Sequence, residues 1–167
     1  MIRINFGSYG EVEIQLDYQN APNTCANFVS LVKAGFYQGL TMHRIIKGFM
    51  IQGGDPQGNG MGGPGYHIPG EFRQNHFPNQ LRHERGVISM ARSASFDSAG
   101  SQFFIMHKDA FYLDGAYAAF GKVTKGIEVI DRIANVKTTP SDRPLERIII
   151  VSMEAIDEPT MDVKKLK

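Results

Sequence analysis

Met1-Ile-Arg-Ile-Asn-Phe-Gly-Ser-Tyr-Gly-Glu-Val-Glu-Ile-Gln-Leu16, followed shortly by Pro22-Asn-Thr-Cys-Ala-Asn-Phe-Val-Ser-Leu-Val-Lys33, holds both structural periods of this chain. Ile2, Ile4 and Phe6 alternate with polar residues, Gly7-Ser-Tyr-Gly10 interrupts, and Val12, Ile14 and Leu16 resume the alternation. Period two on both sides of a glycine-bounded turn predicts a β-hairpin with one buried face. The period then changes. Cys25, Phe28, Val29 and Val32 fall at steps of three and four, which predicts an amphipathic helix opened by Pro22 and stopped by Gly35.

Downstream, Met42–Ile46, Phe49–Gln52, Val87–Arg92, Gln102–His107, Ala118–Val123 and Leu145–Ile156 read as strands, and Ile127, Ile130, Ile133 and Ala134 as a second helix between Gly126 and Asn135. Many short strands with two helices predict a mainly β protein, a closed or nearly closed antiparallel barrel with helices plugging it. A single domain over 1–156 and a loosely held polar tail over 157–167 are expected, since 167 residues bury enough surface without a metal or disulfide staple.

Composition excludes several classes. The 18 Lys+Arg against 17 Asp+Glu leave a net charge of +1, which argues against a polyanion-binding surface and so against nucleic acid as partner. No apolar run approaches the ~20 residues that span a bilayer, and the start lacks the apolar core of a secretion signal. The single cysteine, Cys25, has no partner for an intrachain disulfide, so a reducing, cytoplasmic setting is expected. Gly58-Asn-Gly-Met-Gly-Gly63 matches G-x-G-x-x-G in letters only, because Pro64-Gly65 follows where a helix would have to begin, and a mobile surface loop is the plainer reading. Ser30-Leu-Val-Lys33 lacks the companion motifs of a serine nucleophile. His43, His67, His76, His83 and His107 show no metal-ligand spacing, and no cofactor or metal is expected.

Two segments are unusual for plain strands. His43-Arg-Ile-Ile-Lys-Gly-Phe-Met-Ile-Gln-Gly-Gly-Asp55 places Arg44 within an apolar run, where a guanidinium must reach water, a partner or a ligand. Gly100-Ser-Gln-Phe-Phe-Ile105 puts Gln102 and Phe104 on one strand face and Phe103 and Ile105 on the other, a polar amide beside a ring as in a pocket lining. A plain barrel would accommodate the same residues as surface pairs and core fillers.

These blocks, with Gly86-Val-Ile-Ser-Met-Ala-Arg92, Leu113-Asp-Gly115 and Phe120-Gly-Lys-Val123, resemble the cyclophilins, the cyclosporin-binding family of peptidyl-prolyl cis-trans isomerases, in the family's order from about Asn20 to Val123. The resemblance implies a closed eight-stranded antiparallel β barrel capped by two α helices. It implies catalysis of X–Pro rotation in peptides and unfolded proteins, assisting folding by a non-covalent route in which Arg44 stabilises the twisted amide. Phe49, Met50, Phe104 and Leu113 would receive the proline ring, and Gln52 and Gln102 the substrate backbone. Ala91 and Arg92 would flank the groove. Phe49 and Met50 face opposite ways in a regular strand, so both reach one pocket only if the chain kinks near Gly48. Tyr112 stands where many members carry tryptophan, which bears on cyclosporin as a ligand more than on catalysis; Tyr117 stands where well-known members have histidine. A monomer is expected, and the competing class is a catalytically weak proline-peptide binding module.

Overall fold

The computed structural model describes residues 1–167. Strands β1 (Ile2–Asn5) and β2 (Glu11–Leu16) form the first hairpin, followed by helix α1 (Pro22–Lys33). Then come β3 (Arg44–Ile46), β4 (Met50–Gly53), β5 (Val87–Met90), β6 (Phe103–Met106) and β7 (Ala119–Lys125), helix α2 (Ile127–Ala134) and β8 (Ser152–Ala155). All pairings are antiparallel, in the order β3-β4-β6-β5-β7-β2-β1-β8.

Local chemistry sets these elements. Ile2, Ile4, Val12, Ile14 and Leu16 are all buried, and the turn between them is held by the Gly7 amide donating to Asn5 Oδ1 at 2.8 Å. Helix α1 has no side-chain cap of its own. Glu71, far along the chain and buried, accepts from the Thr24 amide at 2.6 Å and the Asn23 amide at 3.2 Å, so a carboxylate sits on the positive helix end. At the other end Gly35, at φ +72°, closes a Schellman motif in which Phe36 N–H donates to Leu31 and Gly35 N–H to Val32.

The sheet curls around the apolar side of α1, where Phe28 meets Phe103 edge-on at 5.6 Å and Phe120 at 5.1 Å. Register sorts the two faces. Ile45, Ile51, Ile105 and Ile88 stand opposite one another across β3, β4, β6 and β5, and all belong to the main core. The alternate residues point to the outer face, where the site lies.

The barrel is not closed. It is a curled half-barrel whose end strands β3 and β8 share no ladder. The extended chain before β8 fills the seam instead: Met42 N–H donates to Ile148, Ile150 N–H to Leu40, and Val151 N–H to Asn5. Edge strand β3 has already given its Ile45 amide to the carbonyl of Asp142, so the expected strand over Leu145–Ile156 is reduced to Ser152–Ala155. The tail also differs from expectation. Lys33 Nζ donates to Glu158 O and Thr160 Oγ1, Lys164 exchanges two hydrogen bonds with the Asn23 side chain, and Leu166 pairs with His67 at 2.7 and 2.9 Å. Its polarity let it read as loose, but polar partners on α1 and on the loop at His67 hold it.

Candidate functional site

Cross-strand register builds the site. Arg44 on β3 stands opposite Gln52 on β4, Gln52 opposite Phe104 on β6, and Phe104 opposite Ser89 on β5. Directly opposed residues share a face, so this one row crosses the outer side of the sheet. The next row, Ile46, Met50 and Met106, runs beside it.

The polar half is a chain of hydrogen bonds. Arg44 Nη1 donates to Gln52 Oε1 at 3.4 Å, Gln52 Nε2 to Gln102 Oε1 at 3.2 Å, and Gln102 Nε2 to the carbonyls of Gly60 at 3.0 Å and Gly62 at 2.9 Å. Arg44 is exposed, and the long bond to Gln52 is its guanidinium's sole hydrogen bond within the protein. Most of its five donors are therefore left unpaired within the protein. The glycine-rich segment is a wall of the groove and is pinned. Asp55, itself buried, accepts from the amides of Gln57, Asn59 and Gly60 at 2.8, 3.0 and 2.6 Å. Burial alone would raise the Asp55 carboxyl, but these amides hold it below its ordinary value. The loop thus keeps its Gly60 and Gly62 carbonyls aimed at Gln102.

The apolar half is a second, smaller cluster apart from the main core. Met50, Phe104 and Leu113 are buried in it with Val87, Met106, Ala110 and Ala119, and Phe49, Ala91 and Tyr117 border it. Phe49 and Met50 do reach the same cluster. Gly48 takes φ +82°, and Phe49 lies in the turn between β3 and β4 rather than in a strand. Tyr117 meets the Phe104 ring edge-on at 5.8 Å. Tyr112 stands apart from the cluster: it is 76% exposed and stacks on the outer side of Phe49 at 6.1 Å.

Arg92 is more than a charge at the rim. Its Nε and Nη2 donate to Ala116 O at 3.0 and 2.7 Å, and its guanidinium lies over Phe72, Phe96 and Tyr117 at 5.1, 5.1 and 4.6 Å. It ties the end of β5 to the segment carrying Tyr117. From Arg92 and Ala91 past Gln52 and Gln102 to the glycine-rich loop, the surface opens into a cleft of about 560 Å³.

Sequence reasoning missed what lies beneath. His83 is fully buried, stacks under Phe104 at 6.0 Å, and bridges Asp114 Oδ1 and Ser89 Oγ, each at 2.9 Å. Burial holds its pKa below the ordinary value even though Asp114 pulls it up. Serine, histidine and aspartate stand in line as in an acyl-transfer triad, but Ser89 and His83 are both 0% exposed and no substrate carbonyl reaches them. They support the Phe104 ring. Their single letters sit in unrelated segments, and no local pattern links them. Cys25 is likewise buried, its thiol pushed up by burial, with Sγ against Phe120 O.

The arrangement brings a cation, amide donors and acceptors, and an apolar cluster together on one face of the sheet. Comparison with known proteins gives it a context. Residues 1–155 match the family model described as cyclophilin type peptidyl-prolyl cis-trans isomerase. A peptidyl-prolyl cis-trans isomerase of Helicobacter pylori is 48% identical over 126 residues, 74% of each chain. The peptidylprolyl isomerase domain and WD repeat-containing protein 1 of Mus musculus is 46% identical over 148 residues, 87% of this chain but 22% of that longer protein. A cyclophilin type peptidyl-prolyl cis-trans isomerase of Cryptosporidium parvum, crystallised in the presence of the dipeptide Ala-Pro, superposes with a TM-score of 0.85 at 34% identity, covering 94% of this chain and 99% of its own.

Proposed function

This chain belongs to the cyclophilin-type peptidyl-prolyl cis-trans isomerases, and we propose that it turns X–Pro bonds with Arg44 as the catalytic residue and no covalent step. The X–Pro bond is nearly indifferent between its isomers, yet its barrier of ~18–20 kcal/mol makes interchange take tens to hundreds of seconds. Raising that to a turnover of ~10 per second lowers the barrier by about 4 kcal/mol. A few preorganised interactions supply this much.

Rotation breaks amide resonance, and the prolyl nitrogen gains a lone pair that neither planar isomer has. A guanidinium donor aimed at that nitrogen binds the twisted amide more tightly than either ground state, which is the difference catalysis needs. The ring of the proline enters the socket of Phe49, Met50, Phe104 and Leu113, while Gln52 and Gln102 hold the flanking backbone. The observation that carries this reading is the row Arg44–Gln52–Gln102, anchored on the Gly60 and Gly62 carbonyls and running beside that socket. Arg44 is steered by the long bond it donates to Gln52 but not consumed by it.

Proline-containing peptides bind this family, and the Cryptosporidium neighbour's Ala-Pro is of that class. Exposed X–Pro bonds of unfolded chains are the substrate we propose, with the protein acting as a cytoplasmic monomer. Tyr112, exposed and outside the socket, supports weaker cyclosporin binding than a tryptophan there would give. The direct test is the cis-to-trans rate of a short Ala-Pro peptide with and without the protein. Acceleration in proportion to enzyme is expected; saturable binding of the peptide with no acceleration would make this a proline-recognition module instead.

A further inference from the structure

Behind the turn that carries Phe49 lies a buried histidine with a defined proton arrangement. Gly48 N–H donates to His107 Nδ1 at 2.9 Å, and the backbone amide of His107 donates to Phe49 O at 2.9 Å. The other ring nitrogen, Nε2, stands 3.2 Å from Asp131 Oδ1 on α2. Asp131 in turn takes both arms of Arg85, at 2.5 and 2.8 Å, and Arg85 also donates to His107 O at 3.1 Å. Because Gly48 donates to Nδ1, that nitrogen must offer its lone pair, and the ring proton must lie on Nε2 toward Asp131.

We propose that His107 is a positioning residue for the isomerase: its neutral, Nε2-protonated form fixes the Gly48 turn and thereby holds Phe49 against the proline site. This rests on reading Phe49 as a wall of the proline socket. The turn needs such an anchor, since Gly48 sits at φ +82° and Phe49 is only partly buried. A residue of ordinary β geometry would not present its ring beside Met50. Protonation of Nδ1 would set two N–H groups against each other and release the turn. The charges facing the ring are Asp131 from α2, which favours its cationic form, and Arg85 and the adjacent Lys108, which oppose it; burial opposes it most, and the neutral form is favoured overall.

The test compares wild type, His107→Leu, His107→Asn and Phe49→Ala on an Ala-Pro peptide. Leucine keeps the bulk and removes the acceptor. Asparagine places an oxygen where Nδ1 stood and cannot titrate. At about pH 8 His107→Leu is expected to raise KM about fivefold, the worth of one hydrogen bond, with kcat changed less than about twofold. His107→Asn should recover most of that loss. Where acid puts a proton on the ring, below its ordinary range, wild type should lose kcat/KM and His107→Asn should not. Wild-type KM in His107→Leu while Phe49→Ala raises it would overturn the proposal. So would an acid loss of equal size in wild type and His107→Asn. An unchanged KM in Phe49→Ala would instead remove the reading of the socket on which the proposal rests.

Discussion

Arg44 and Arg92 are both arginines at the groove, and their surroundings give them opposite tasks. Arg44 is exposed with one long hydrogen bond, so its charge is left free for the ligand role proposed above. Arg92 spends its donors on Ala116 O, Ser93 O and Ala94 O and its planar face on three rings, so it works inward. A lysine cannot match that planar fork. Arg92→Ala should therefore cost about 1–2 kcal/mol of stability and raise KM by loosening Tyr117, leaving kcat nearly intact. Urea unfolding and steady-state kinetics on the same variant check both; a fall in kcat at unchanged stability would place Arg92 in the chemistry instead.

At the scale of elements, period two carries the hairpin and the faces of β6, but it overextends β8, which is only Ser152–Ala155. The alternation of Ile2 to Leu16 and the split of Phe103 and Ile105 from Phe104 are properties of period two, and both faces came out as the alternation requires. The turn position of Phe49 was only half legible, because Gly48 signalled a kink without saying which residue it would carry out of the strand. The sealing of the β3–β8 seam was not legible at all. It depends on Leu40, Met42 and Asn5 meeting a segment more than a hundred residues later, and no local pattern encodes that. The same holds for the pairing of Glu71 with α1. Gly121 on β7 shows how closely the curled sheet packs: a Cβ there would lie 2.7 Å from Gln15 O and 3.2 Å from Ile88 Cγ2. Gly121→Ala should destabilise the protein by about 1–3 kcal/mol by overpacking, read as a lower urea midpoint with unchanged slope. A midpoint equal to wild type would mean that the strands can part without cost.

Over the whole molecule, three buried histidines link stability to pH. His43, whose two ring nitrogens lack partners, His83 and His107 are all held below their ordinary value, chiefly by burial. Each is neutral in the folded state, while the unfolded chain takes up protons near pH ~6.5. Below that point the unfolded state binds more protons, so the stability these groups contribute is full above about pH 6.5 and drains away as pH falls through their lowered values. The carboxylates of Asp55, Asp114 and Asp131, also held low, contribute above the usual carboxylate range and lose that contribution only in stronger acid. Melting temperature should fall between about pH 7.5 and about pH 5; one that held or rose would contradict the buried neutral imidazoles.

The central claim is that Arg44 stabilises the twisted amide rather than the bound substrate, and Arg44→Ala tests it most directly. The residue is exposed and supports no packing, so melting temperature should be unchanged. Affinity for a proline peptide, set by the socket of Phe49, Met50, Phe104 and Leu113, should change little. The turnover number should fall by about two to three decades, since a transition-state interaction is lost without a ground-state one. Turnover equal to wild type, or a loss confined to KM, would contradict the account.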